Sequence, residues 1–166
     1  MLRDDLKQAQ IAAMKAGDKE RLGAVRLILS AIKNRDIEER AKNSGTVRIG
    51  SGLQINDASE GAADDATIID VLQKMAKQRR ESIEMYQQGG REELAAIERG
   101  ELAVIEEFLP RQMDEAETRA AIAAIKAELG ASGLKDMGRV MAELKARHGT
   151  VLDMGRASGW VKESLS

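Results

Sequence analysis

Apolar residues recur at spacings of three and four through most of the chain, and a single proline, Pro110, breaks the pattern. That periodicity admits helices packed on helices and little else. Leu2, Leu6, Ala9 and Ala13 predict a helix over 2–16, with Gly17 as its stop. Asp18 can cap a second helix running to about residue 42, whose stripe is Leu22, Val25, Leu29 and Ile32, with Ile28 beside it. A third is expected from about 66 to 88 on Ile69, Leu72, Ala76, Ile83 and Tyr86, closed by Gly89-Gly90. The fourth, about 91 to 109, uses Leu94, Ile97, Val104, Ile105 and Phe108, and Pro110 terminates it. Three shorter helices follow. Asp114 with Glu117 three residues on reads as a capping box, with Met113 as a hydrophobic staple, and that helix closes at Leu129-Gly130. The next, about 133 to 147, turns Leu134, Met137, Val140, Met141 and Leu144 inward and stops at Gly149. The last opens at Asp153 and carries Met154, Ala157, Trp160, Val161 and Leu165. The expected fold class is all-α: an N-terminal helical bundle over 1–109, then a small three-helix domain over 110–166.

Residues 43–65 differ. Gly, Ser, Asn and Asp dominate, and Val47, Ile49, Leu53 and Ile55 alternate only weakly. The composition favours a flexible connection over a short hairpin. Gly45, Gly50 and Ser51 outline a phosphate-binding loop, but the lysine such a loop needs is missing and no helix is expected to start there.

Composition closes off several function classes. The 166 residues carry 26 basic and 28 acidic side chains, so a polyanion would have to meet a local patch rather than a general positive charge. There is no Cys, which excludes disulfides, thiolate zinc sites and a Cys nucleophile. His148 is the only histidine, so no metal site is expected. Tyr86, Phe108 and Trp160 are too few for a base-stacking sheet. The first ten residues alternate in charge, with no apolar signal segment, and no stretch approaches the ~20 apolar residues of a membrane span. The expectation is a cytoplasmic protein without cofactor, membrane contact or DNA partner.

Ionisable residues fall in two groups. Asp36, Arg79 and Glu101 lie inside apolar stripes on three different helices. Burying a charge is costly unless it is paired, so these residues could meet as an internal ion-pair network. Frayed helix ends reaching water, or a catalytic use, are the alternatives. Lys74, Lys77 and Arg80, with Glu81 and Glu84 close by, read as a solvated face. The second group lies beyond Pro110. The tetrapeptide Asp-Met-Gly-Arg occurs twice, at 136–139 and 153–156. Lys135, Arg139, Lys145, Arg147 and Arg156 are candidates to contact RNA phosphates, because Gly138 and Gly155 would let a backbone approach closely. Close helix packing explains those glycines equally well. His148 falls at a helix C-terminus, where the dipole favours it as a cap, with an RNA contact as the alternative. Trp160 reads as core.

The stretches KQRRESIEMYQQGGREELAAIERGELAVIEEFLP, GDKERLGAVRLILSAIKNRDIEER and SGLKDMGRVM resemble the YqeY family. The resemblance covers the chain apart from 43–65. The family is similar to the C-terminal tail of GatB, a subunit of the tRNA-dependent amidotransferase, a tail associated with binding the outer corner of tRNA. The resemblance implies an all-α fold and an accessory tRNA-binding role. It also implies association with carbon–nitrogen ligase activity using glutamine as amido donor. The catalytic body of GatB and its glutaminase partner have no counterpart here, so no catalytic residue is expected. The chain departs from the pattern at Gly149-Thr150-Val151-Leu152-Asp153, where a basic residue is expected, and in the length of 43–65. A helical adaptor for a protein partner is the alternative, and a free-standing amide-transfer enzyme a third.

Overall fold

The computed structural model describes the backbone of residues 1–43 and 57–166, and the side chains of 1–42 and 64–166. The described residues are helical, with no strand among them, and divide into two compact units, Met1–Leu109 and Pro110–Ser166. The all-α expectation holds. The hairpin alternative and the Gly45-Gly50-Ser51 outline lie outside the described residues.

The first unit contains α1 (Leu2–Ala16), α2 (Lys19–Asn43), α3 (Asp57–Gln88) and α4 (Glu92–Phe108). Its punctuation is the punctuation of the sequence. Gly17 and Gly90 take left-handed backbone, at φ 67° and 69°, which costs a glycine little. The Asp18 carboxylate accepts from the Arg21 amide at 3.0 Å and caps α2. Leu109 is extended, at φ −82° and ψ 142°, as a residue before proline prefers. The core joins Leu6, Ile28, Ile32, Ile68, Val71, Leu72, Met75, Ala76 and Ile105, with Leu102, Val104 and Phe108 packed against it.

Two expectations need correction here. The third helix starts at Asp57, well before residue 66. The Gly, Ser, Asn and Asp content of 43–65 hid the alanines Ala58, Ala62 and Ala63, the strongest helix formers. Its carboxylates are also used. Met1 makes no side-chain cap on α1, and Asp65 accepts from the Leu2 amide at 3.0 Å in its place. Arg3 binds both Asp64 and Asp36, so one guanidinium joins α1, α2 and α3. The second correction concerns α4. Ile97 shares a helical spacing with the stripe but is 59% exposed, and Ala95 is buried instead.

The second unit contains α5 (Glu115–Leu129), a 3-10 turn over Leu134–Asp136, α6 (Met137–His148) and α7 (Met154–Leu165). The capping box on α5 is complete: the Glu117 amide donates to Asp114 at 2.8 Å, and the Asp114 amide donates back to Glu117 at 3.0 Å. Gly130, at φ 62°, ends α5. Gly149 has ordinary right-handed backbone, but a Cβ there would sit 2.6 Å from the Lys145 carbonyl oxygen. Ile122, Ile125, Ala131, Val140, Leu144, Leu152, Ala157, Val161 and Leu165 form the core, with Met113, Met137 and Trp160 packed against it. Leu134, expected inward, is 52% exposed because it sits in the 3-10 turn ahead of α6, out of register with its stripe.

The two faces of α4 give a direct test. Ile105→Ala should lower unfolding free energy by about 2–5 kcal/mol. Ile97→Ala should change it by no more than about 0.5 kcal/mol. Denaturant titration of the two variants checks this, and equal effects would mean α4 is rotated.

Candidate nucleic-acid interface

The repeated tetrapeptide opens both α6 and α7, but its two aspartates do different work. Asp153 caps α7, accepting from the Gly155 amide at 2.9 Å and the Arg156 amide at 3.3 Å. Asp136 makes no such cap; it is nearly buried and turns back to accept from the Ser132 amide at 3.1 Å. Its other oxygen takes Arg139 at 2.8 Å. The Ser132 amide, and after it the Arg139 guanidinium, hold the Asp136 carboxyl below the usual range. Arg139 is therefore committed to its own helix start.

The remaining cations separate in the same way. Arg147 lies between Glu128 of α5 and Glu143 of α6, each at 2.6 Å, and holds the Glu128 carboxyl below its usual range. Two carboxylates neutralise it, which weakens its case as a phosphate contact. Lys145 and Arg156 are exposed and have no carboxylate partner among the described residues; Lys135 is exposed and outside any salt bridge among them, but its charge helps hold the Asp136 carboxyl down. Gly138 is exposed, and a Cβ there would meet nothing within 4 Å, so helix packing does not require it. His148 is half-buried at the end of α6, where its carbonyl accepts from the Val151 amide at 3.0 Å.

Trp160 is more than core. Its indole is half-buried, and two guanidiniums lie over it: Arg156, one turn earlier on α7, at 5.4 Å, and Arg119 of α5 at 5.5 Å. Both distances fall within the cation–π range. Sequence points to Arg156 as a functional residue and passes over Arg119. The acid one turn before Arg119, Glu115, makes it read as half of an ordinary solvated pair.

The other group resolves into two clusters rather than one network. Arg79 on α3 donates to Glu101 on α4 at 2.7 Å, with Glu98 at 3.4 Å. Asp36 belongs elsewhere, paired with Arg3 at 3.0 Å. Glu98, Arg3 and Asp64 carry these clusters, and no pattern in the sequence singles them out. Glu98 Oε2 is buried without a hydrogen bond among the described residues, and the nearby guanidinium compensates its charge. These acids face cations, an arrangement that fixes helix pairing rather than one poised to move protons. No three His, Asp or Glu among the described residues converge as metal ligands would. No described helix is long and apolar enough to cross a membrane.

Comparison with known proteins gives one family and one set of relatives. The family model described as Yqey-like protein matches residues 3–165. The chain is 30% identical over 109 residues to altered inheritance of mitochondria protein 41 of Saccharomyces cerevisiae, covering 66% of this chain and 46% of that protein. It is 32% identical over 108 residues to the protein of the same name from Vanderwaltozyma polyspora, covering 65% and 46%. The chain thus spans about half the length of the curated relatives it matches.

Two outcomes follow from this geometry. Arg79→Ala leaves two half-buried carboxylates facing each other and should cost about 1–3 kcal/mol. Adding Glu98→Ala and Glu101→Ala should recover much of that, and a denaturant-based mutant cycle reads the coupling. For Asp136 the folded carboxyl lies below its unfolded value of ~3.9, so its charge adds stability above that pH. The contribution disappears as pH falls through the folded value. Asp136→Asn should therefore lower the melting temperature at pH 7, and the gap to wild type should close below about pH 4. A gap that stays constant down to about pH 2 would show that Asp136 acts through shape alone.

Proposed function

The chain belongs to the YqeY-like family, and from that membership we propose that it is an accessory tRNA-binding protein without a catalytic site of its own. The Pro110–Ser166 unit carries most of the contact. On this proposal, which draws on the resemblance to the GatB tail, it serves glutamine-dependent carbon–nitrogen ligase chemistry as a place where RNA is held, not where the amide forms. The proposed setting is the cytoplasm.

One observation carries the reading: Lys135, Lys145 and Arg156 stand exposed and outside any salt bridge among the described residues, on a unit whose other arginines are engaged with carboxylates. Charge distribution supports it. Pro110–Ser166 carries nine Lys and Arg against eight Asp and Glu, while Met1–Leu109 carries seventeen against twenty. The slight positive balance of the second unit therefore comes with exposed cations that form no salt bridge among the described residues. Contacts of this kind read phosphates and shape rather than base sequence.

A second reading, a helical adaptor for a protein partner, is favoured by a different observation. Ile11 and Met14 on α1, and Leu27 and Ile37 on α2, are large apolar side chains about half exposed.

Salt dependence separates the two readings. Lys135→Ala with Lys145→Ala should weaken tRNA binding and flatten the slope of log affinity against log salt by about 0.9 or less per lost phosphate contact. Stability should move by no more than about 0.5 kcal/mol. Filter binding at several salt concentrations checks this. Absence of tRNA binding by the wild-type chain would favour the adaptor.

A further inference from the structure

We propose that Trp160, with Arg156 and Arg119, forms a docking site for a single unpaired nucleotide of a bound RNA. The inference rests on the RNA-binding reading and goes beyond it, since that reading needs only phosphate contacts.

The site is a surface depression of about 380 Å³ lined by Arg119, Ile122, Trp160, Glu163 and Ser164. That volume falls within the ~300–1,000 Å³ range of small-molecule sites. The half-buried indole gives it a flat wall, and Ile122 at its floor is only 2% exposed. Arg119 is fixed from two sides, by Glu115 at 2.8 Å and Glu163 at 2.9 Å, so its guanidinium is held in place over the ring. Guanidinium and indole planes are both surfaces on which a nucleobase stacks. Arg156 reaches the same ring and has no carboxylate partner among the described residues.

The charges give the ligand a direction. Glu163 in the wall repels a bare anion but accepts hydrogen bonds from the amino groups of a base edge. Arg156 attracts a phosphate. A nucleotide satisfies both, with its base toward Glu163 and Ser164 and its phosphate toward Arg156.

The test uses the fact that Trp160 is the only tryptophan, so tryptophan fluorescence reports on this ring alone. The whole chain is titrated with tRNA, with a short single-stranded oligoadenylate, and with an abasic oligomer of the same length and charge. Oligoadenylate should quench Trp160 emission saturably, and the abasic oligomer should not. Arg156→Ala should weaken the quenching roughly tenfold while leaving the helical circular dichroism unchanged. Equal quenching by the abasic oligomer, or tRNA binding that leaves Trp160 emission unchanged, overturns the stacking site and leaves the RNA reading standing. No tRNA binding by the wild-type chain overturns both.

Discussion

Helices of a dozen residues do not hold their shape in water unless one face is buried. Both α6 and α7 have 12 residues, so each depends on the shared core of Val140, Leu144, Ala157 and Val161 against Ile122 and Ile125 of α5. Every feature of the candidate site is a surface consequence of that burial. Lys135, Arg139 and Arg156 take their positions from the starts of two helices that exist because their other faces are covered. The same dependence explains why capping matters in this unit: the Asp114 box and the Asp153 cap satisfy amides that short helices leave in large proportion.

In the longer helices of the first unit, charge rather than capping fixes the pairing. Arg3 holds Asp36 and Asp64, and Arg79 holds Glu98 and Glu101, each cation reaching between helices. Such pairs contribute modestly to stability when partly exposed, but a wrong register would leave a carboxylate without its partner. Arg3 keeps the Asp64 carboxyl below its usual range, so this junction remains ionised across ordinary pH.

Much of the fold is legible in the sequence because its signals are local. Gly17, Gly130, Pro110 and the Asp114–Glu117 pair act within a few residues, and the helices end or begin where they stand. The start of α3 is not legible, because alanine propensity is diluted by Gly, Ser and Asp, and the bonds from Leu2 and Arg3 to Asp65 and Asp64 span more than sixty positions. The exposed side of Ile97 is hidden for a related reason: α4 buries the small Ala95, which carries little weight in a hydrophobic pattern. At the site, residue type marks Arg139 and Arg147 as equal to Lys145. Only three-dimensional neighbours distinguish a cation already matched by an acid from one that is not.

The segment after Pro110 is bonded to the turn before α7. The Met113 amide donates to the Val151 carbonyl at 2.6 Å, and the Gln112 side-chain amide donates to the Thr150 carbonyl at 3.2 Å. The turn over 149–152 therefore cannot open without releasing the entry to α5. Slow amide exchange should spread across both places together, making the first and last helices of this small unit part of one cooperative opening event although they lie far apart in the chain.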